Sequence, residues 1–129
     1  DWRVAAQANE KMKKSGGAPP TLALTENPDI LKTIAMRSAG RPALVVGFAA
    51  ETEKVQVHAR EKLARKGCDL IVANDVSPER GVFGGDSNLV HLVSAQGIES
   101  WPIMSKQEVA SRLMERLAGL LASPEENRS

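Results

Sequence analysis

Two continuous apolar runs dominate the hydropathy pattern of the chain, and each passes directly into polar residues. The first is ALVVGFAA at residues 43–50, and the second is LIVA at residues 70–73, within the stretch CDLIVAND that ends in the polar Asn74 and Asp75. Runs of this kind are typical of strands that are covered on both faces. The segment 52–66 between them has apolar residues at helical spacing and is followed by Gly67, a common helix stop. The order strand, helix, strand predicts a βαβ unit with a parallel sheet and a right-handed crossover.

The amino-terminal part of the chain has a weaker pattern. Residues 1–20 show no period, and the stretch NEKMKKSGGAPP within them is rich in Lys, Gly and Pro, which predicts a mobile, lid-like loop. A short strand is predicted at 21–26. The helix predicted at 27–38 has Asn27 as its cap and Pro28 at the first helical position, where a missing N–H carries no cost.

The last third of the chain predicts a hairpin and a helix. Two alternating runs at 89–94 and 98–104 are separated by a short turn, which favours an antiparallel pair. The residues at 105–108, Ser-Lys-Gln-Glu, form a capping box before an amphipathic helix, and 123–129 is expected to fray. Together these elements predict an α/β fold. We expect one domain with a Rossmann-like parallel sheet, flanking helices and an antiparallel hairpin.

Composition excludes several classes of protein. The 129 residues carry 17 basic and 16 acidic side chains and contain no Tyr, so neither a basic surface nor stacking aromatics indicate a nucleic-acid partner. Cys68 is the only cysteine, which leaves no intrachain disulfide and fits a reducing, cytoplasmic setting. The two histidines lie far apart in sequence and predict no metal site. No apolar stretch reaches the roughly 20 residues that cross a bilayer.

The predicted sheet directs attention to the carboxyl ends of its strands. In open α/β sheets, ligands bind outside these ends, where the following helices begin. The segments 27–30, 48–51 and 74–75 fall at such positions. Phe48 there is either a core residue or the wall of a slot for a flat ligand. Asn74 and Asp75 fit turn chemistry and ligand contact equally well.

Lysines supply the candidate phosphate contacts. Lys62 and Lys66, with His58, recur every four residues and therefore share one side of the predicted helix. They form either a solvated flank or a pair of cations for a polyanion such as a triphosphate. Lys11 lies either in an exposed basic loop or in a lid that closes over phosphates. The Pro28 helix start is either a simple cap or a phosphate site.

Two common nucleotide-binding motifs are missing from the sequence. No G-x-G-x-x-G follows a strand, and no G-x-x-x-x-G-K-[ST] is present. Their absence counts against an NAD(P)-binding oxidoreductase.

Six short motifs occur in an order that identifies a family. The sequence contains DWR, KMKK, NPDIL, VGFAAET, KLARKGCDLIVAND and FGGDSN. In this order they resemble the carboxyl-terminal part of bacterial phosphopantothenoylcysteine synthetase, which is usually the second half of a bifunctional coenzyme A biosynthesis protein. The resemblance runs from Asp1 to about Leu121.

The resemblance implies a specific reaction. Members of this family join 4′-phosphopantothenate to cysteine, using CTP in most bacteria, through an acyl-cytidylate, and they are homodimers. CTP is favoured over ATP here, and Mg²⁺ is expected with the triphosphate because a hard divalent ion neutralises its oxygens. It also implies upstream fusion to an FMN-dependent decarboxylase half, which this chain does not contain. Because the early strands of the family would precede Asp1, we expect this segment alone to be inactive. The alternative is a non-catalytic nucleotide-binding or dimerisation fragment.

The resemblance also implies site residues. Lys11 matches the lysine that forms the acyl-cytidylate and is the predicted catalytic residue. The predicted nucleotide contacts are the positions that match the family motifs: Asp1, Lys11, Pro28, Asp29, Ile30, Leu31, Phe48, Lys62 and Lys66.

Overall fold

The computed structural model describes residues 1–6, 21–78 and 86–122, which form two compact units, Asp1–Ile30 and Leu31–Ser129. The prediction that both belong to one domain stays a prediction. Most of the predicted lid-like loop and the whole predicted frayed tail lie outside the described residues.

The described secondary structure comprises six strands and three helices. Their bounds are β1 Trp2–Val4, β2 Leu24–Glu26, α1 Ile30–Ala35, β3 Val46–Glu51, α2 Val55–Lys66, β4 Leu70–Asp75, β5 Val90–Ser94, β6 Gly97–Ser100 and α3 Lys106–Ala122.

The first unit contains a two-stranded antiparallel ribbon. Strands β1 and β2 pair with Trp2 opposite Glu26, and the ribbon is extended by a hydrogen bond from the Asn27 amide to the Asp1 carbonyl at 2.8 Å. The prediction of a loop throughout 1–20 is therefore wrong at β1. The strand exists because β2 pairs with it, and such a non-local partner leaves no periodic signal in three residues.

The second unit is built on a four-stranded sheet with the order β3-β4-β5-β6. Strands β3 and β4 are parallel and are connected through α2, as the βαβ prediction requires. Strands β4, β5 and β6 are antiparallel neighbours, so the predicted hairpin joins the same sheet. The α/β class and the hairpin are confirmed, and the sheet is mixed rather than wholly parallel.

The two faces of the sheet are covered by different helices. Alternate strand residues, including Ala49, Ile71, Ala73 and Val93, pack with α1 and α2 on one face, called the α2 face below. On the opposite face, called the α3 face, Leu70, Val72, Val90 and Leu92 of the strands pack with Trp101 and with α3. Because side chains alternate along a strand, each position in β3 and β4 is committed to one face.

Helix α2 has the predicted apolar stripe and the predicted end. Val55, Ala59 and Leu63 contact the core of the α2 face. Gly67 ends the helix with a left-handed φ of 75°, and its amide donates to the Leu63 carbonyl at 3.0 Å. This conformation favours glycine, because a Cβ would crowd the following backbone.

Helix α1 is shorter than predicted. It begins at Ile30 rather than directly after Asn27, and it ends at Ala35 instead of continuing to residue 38. A helix of six residues has few internal hydrogen bonds and depends on packing, here through Leu31 and Ile34 against the α2-face core.

Helix α3 begins with the predicted capping box. The Glu108 amide donates to Ser105 Oγ at 3.1 Å, and the Ser105 amide donates to Glu108 Oε1 at 3.2 Å. These reciprocal bonds satisfy amides that have no partner inside the helix. The predicted stripe is confirmed as well, and its members pack on the core of the α3 face: Val109, Leu113, Leu117 and Leu120.

An ion pair joins the segments that lead into the two parallel strands. Asp69 Oδ2 accepts from the Val45 amide at 2.8 Å and from Arg41 Nη2 at 2.9 Å. Arg41 also donates to the Ala35 carbonyl at 2.8 Å. The end of α1 and the starts of β3 and β4 are thereby fixed at the amino edge of the sheet.

Gly47 lies where Leu31 of α1 packs closely against the sheet. The substitution Gly47→Ala is therefore expected to destabilise the protein. A Cβ at this position would lie 2.6 Å from Leu31 Cδ2 and 2.9 Å from Ile71 Cδ1. Such overpacking costs about 1–3 kcal/mol. Urea unfolding followed by circular dichroism measures the change.

Gly119→Ala is the matched control. It places the same methyl group in open space on α3, where alanine favours the helix by about 0.5–1 kcal/mol. Equal stability changes for the two variants would contradict the close approach of α1 to β3.

Candidate functional site

The candidate site lies at the carboxyl edge of the parallel strands. Glu51 and Asp75 are the last residues of β3 and β4 and are directly paired in register. The Val76 amide donates to the Glu51 carbonyl at 2.9 Å, so the chain leaving β4 is held against the end of β3. This is the edge at which open α/β sheets bind ligands.

A buried carboxylate contacts two basic side chains of α2 at this edge. Glu51 is only 8% exposed, and its Oε1 lies 2.6 Å from Lys62 Nζ. Its Oε2 lies 3.5 Å from His58 Nδ1. We call these three residues the Glu51 cluster. The spacing of four between His58 and Lys62 places both on the side of α2 that faces the end of β3.

The contact between Glu51 and Lys62 is an ion pair rather than a well-formed hydrogen bond. Glu51 Oε1 has no partner that meets hydrogen-bond geometry, although the ammonium nitrogen lies only 2.6 Å away. The short distance makes the contact an ion pair, because opposite charges this close attract each other whatever the angle. The Lys62 side chain is 35% exposed, so part of it also reaches solvent.

A cavity of about 360 Å³ lies beside the start of α2. It is lined by the first residues of that helix and by side chains from β4, its following loop and β5: Lys54, Val55, Gln56, Val57, Asp75, Ser77 and His91. Lys54 adopts a left-handed φ of 44°, and its side chain makes no capping hydrogen bond to α2. The first amides of α2 thus lack a capping side chain.

The polar side chains of this cavity are already oriented by neighbours. Asp75 Oδ1 accepts from the Ser77 amide at 2.8 Å, and His91 Nδ1 lies 2.7 Å from Ser100 Oγ. Asp75 and His91 lie on the α2 face, as Glu51 does, because Glu51 pairs with Asp75 and Ala73 pairs with His91. The cavity and the Glu51 cluster therefore share one face of the sheet.

The opposite, α3 face carries a different surface at the same edge. Phe48 is 72% exposed there, and Ala50 follows it on the same face, in register with Asn74. Asn74 Oδ1 is buried and has no hydrogen-bond partner among the described residues. This surface combines an open aromatic ring with one amide, which suits contact with a flat ligand.

The predicted site residues fall into three groups. Lys11 lies outside the described residues. The first unit contains Asp1, Pro28, Asp29 and Ile30, and the second contains Leu31, Phe48, Lys62, Lys66, Asn74 and Asp75. Within the second unit, Phe48 and Lys62 lie on opposite faces of the sheet, so their side chains are not brought together. Lys66 ends α2, one helical turn (about 6 Å) beyond Lys62.

Sequence reasoning placed Glu51 in the edge segment 48–51 without assigning it a role of its own, and it did not single out His91. A signal for Glu51 was present, because residues 47, 49 and 51 alternate onto the buried side of β3 and end in an acid. An acidic residue at a core-facing position requires a partner. His91 had no comparable signal, since its place beside α2 follows from the pairing of β5 with β4.

Cys68 is buried just before β4, as the sequence predicts. Desolvation is the main reason that its pKa is raised above the ordinary 9.0, with a smaller contribution from the neighbouring Asp69. The thiol therefore stays protonated and unreactive near neutral pH. Within the described residues there is no group of three or more metal-ligating side chains, and no helix there is long and apolar enough to cross a membrane.

Comparison with known proteins places the chain in a family. Residues 1–121 match the family described as "DNA/pantothenate metabolism flavoprotein C-terminal domain". The chain belongs to this family, which is an α/β class of domain from pantothenate metabolism.

Curated relatives share one name, coenzyme A biosynthesis bifunctional protein CoaBC. The Bacillus subtilis protein is 42% identical over 93% of this chain, and the Escherichia coli K12 protein is 40% identical over 91% of it. A Vibrio vulnificus protein is 37% identical over 94% of it. The chain spans only about 30% of the length of these relatives.

Two solved structures share the fold. One is the crystal structure of the C-terminal domain of a coenzyme A biosynthesis bifunctional protein, with a TM-score of 0.63 and 31% identity; the match covers 79% of this chain and 46% of that one. The other is the DNA/pantothenate metabolism flavoprotein from Streptococcus pneumoniae, with a TM-score of 0.58 and 21% identity; the match covers 77% of this chain and 43% of that one. The second likeness concerns the fold alone.

These comparisons correct part of the functional prediction. Coenzyme A biosynthesis and a multifunctional relative are confirmed at the level of the family. The CTP-dependent ligase assignment is contradicted, because the family is described as a flavoprotein family and these names specify no ligase. Mg²⁺ and CTP are likewise unsupported as cofactors, and the family description points to a flavin instead.

The raised pKa of Cys68 leads to a pH-dependent stability. The folded state disfavours the thiolate, whereas the unfolded state ionises near pH 9.0. As the pH rises through 9.0, the thiol therefore loses its proton in the unfolded state but keeps it in the folded state. This favours the unfolded state, so the free energy of unfolding is expected to fall. Urea titrations at pH 7.5, 9 and 10 measure the free energy of unfolding at each pH.

Cys68→Ala separates this effect from other alkaline titrations. The variant should lose less stability between pH 7.5 and pH 10 than the natural protein does. If both lose the same amount, the thiol does not contribute to the fall.

Proposed function

We propose that this chain serves coenzyme A biosynthesis by binding a phosphorylated, pantothenate-derived intermediate at the carboxyl edge of β3 and β4. The observation that carries the proposal is the shared name of relatives that are 37–42% identical over more than nine-tenths of the chain. The edge geometry supports it, since this is the part of an open α/β sheet that holds ligands.

The phosphate is proposed to contact the α2 face. Lys62 offers an ammonium group that is paired with Glu51, on a side chain that is 35% exposed. A lysine acts on a phosphate as a compact point charge with three donors. Lys66 lies one turn further on and is proposed as a second, weaker contact. Lys11 lies outside the described residues and stays a predicted ligand contact, as do Asp1, Pro28, Asp29 and Ile30 of the first unit and Leu31 of the second.

The α3 face is proposed to contact a different part of the ligand. Phe48 and Asn74 cannot share an atom of the ligand with Lys62, because the sheet lies between their side chains. A ligand that touches both faces must be extended and must pass over the edge of the sheet. Pantothenate-derived compounds are linear amides, and 4′-phosphopantothenate is the member proposed here.

The proposal includes two kinds of partner. Because the relatives are bifunctional and more than three times as long as the matched segment, we propose that the domain acts beside another domain of the same protein. Homodimerisation through the β5–β6 hairpin is also proposed. Strand β6 is an edge strand of the described sheet, and one side of such a strand is available for pairing.

A flavin is the second candidate ligand, and the family description favours it. The described residues fit the ring of a flavin at one place: Phe48 offers an exposed aromatic surface with Ala50 beside it. A bound flavin would supply electron-transfer chemistry, and the protein would supply the stacking surface and the amide of Asn74.

Isothermal titration calorimetry tests the first candidate. We expect 4′-phosphopantothenate to bind the protein at least tenfold more tightly than pantothenate, because only the former brings the phosphate that Lys62 contacts. Lys62→Met should remove most of this difference. Lys106→Met, which removes a lysine from the start of α3, is the matched control and should leave it unchanged.

The flavin arm of the experiment uses FMN and its visible absorbance. FMN binding that is weakened by Phe48→Ala, together with no heat from 4′-phosphopantothenate, would replace the first candidate with the second. Equal affinity for pantothenate and its phosphate would also contradict the proposed phosphate contact.

A further inference from the structure

We propose that Glu51 is a positioning residue that fixes the ammonium group of Lys62 for contact with the ligand phosphate. The inference rests on the proposed function, since it concerns how Lys62 is prepared for that contact. Glu51 itself is buried and is not expected to touch the ligand.

Glu51 is held firmly enough to act as an anchor. Its backbone is paired in register with Asp75, and its carbonyl accepts from the Val76 amide at 2.9 Å. Its side chain faces the α2 side of the sheet, in line with the buried Gly47 and Ala49. A carboxylate fixed in this way defines one position for a charge partner.

Lys62 needs such an anchor because its side chain is long and flexible. A free lysine side chain loses rotamer freedom when it is ordered, and this loss opposes binding. The ion pair at 2.6 Å orders it before any ligand arrives. The ammonium group has three donors, and with 35% of the side chain exposed it can contact Glu51 and a phosphate together.

A purely stabilising role explains the pair poorly. Removing a carboxylate from water is costly, and an isolated buried ion pair often stabilises no more than an apolar pair of similar volume. The position faces an apolar core of Ala49, Val55 and Ala59, where an apolar side chain would pack without that cost. The acid is therefore better explained by its effect on Lys62.

Charge and position have opposite effects on affinity, which makes the inference testable. Loss of the negative charge would strengthen anion binding if Glu51 merely neutralised Lys62. Loss of the anchor would weaken binding if Glu51 positions Lys62. Preorganisation of one lysine side chain corresponds to about a tenfold change in affinity, and this is the weakening that we expect for Glu51→Gln.

The experiment is a double-mutant cycle on the affinity for 4′-phosphopantothenate, measured by calorimetry. The four proteins are the natural one, Glu51→Gln, Lys62→Met and the double variant. If Glu51 acts through Lys62, Glu51→Gln weakens binding about tenfold alone and has almost no effect in the Lys62→Met background. Glu51→Asp keeps the charge on a shorter stem and should be intermediate.

Controls separate positioning from loss of fold. Thermal unfolding of each variant shows whether it is folded, and Glu51→Asp provides the comparison if Glu51→Gln is not. Glu99→Gln removes an acid of β6 that accepts from Arg116 of α3 at 3.1 Å, and it should leave affinity unchanged.

Each outcome is decisive. Tighter binding by Glu51→Gln, or equal weakening in both backgrounds, overturns the positioning role and leaves the proposed function standing. If Lys62→Met binds 4′-phosphopantothenate as the natural protein does, the phosphate contact itself fails and this inference fails with it.

Discussion

The parallel pairing of β3 with β4 is the constraint on which the rest of this structure depends. Its register sets Glu51 beside Asp75 and fixes which side chains point toward α2 and which toward α3. A shift of one residue would move Glu51 to the α3 face and bring Phe48 beneath α2. Every feature of the candidate site, from the Glu51 cluster to the open surface around Phe48, follows from this register.

Two acidic residues anchor opposite edges of that pair by different means. At the amino edge, Asp69 accepts from a backbone amide and from Arg41, so its charge is part of the framework. At the carboxyl edge, the side-chain carboxylate of Glu51 contacts two basic side chains of α2, His58 and Lys62. The first arrangement fixes the backbone, whereas the second fixes a side chain that is itself partly exposed. This difference is why the carboxyl edge is the better candidate for ligand binding.

The comparisons show how far a motif resemblance extends. Motifs such as VGFAAET, which combines strand β3 with the turn toward α2, point to a protein of coenzyme A biosynthesis, and residues 1–121 match the family model. They do not identify the reaction, which depends on groups that several elements bring together. The coenzyme A biosynthesis assignment agrees with the comparisons, whereas the CTP-dependent ligase assignment does not.

The sequence by itself determined the elements whose signals are local. The helical stripe of α2, its stop at Gly67 and the capping box of α3 depend on residues within four positions of one another, and each was predicted. The buried character of β4 was visible for the same reason, whereas the prediction that β3 is covered on both faces is wrong, because alternate residues of β3 are exposed and Phe48 is 72% exposed.

Tertiary structure decided the features that join distant segments. Strand β1 exists only through β2, and α1 is limited to six residues. The register of β3 placed Phe48 and Lys62 on opposite faces, although both had been assigned to one ligand. Side-chain direction follows from strand pairing across some 24 residues of sequence, and no local pattern encodes which partner a strand will find.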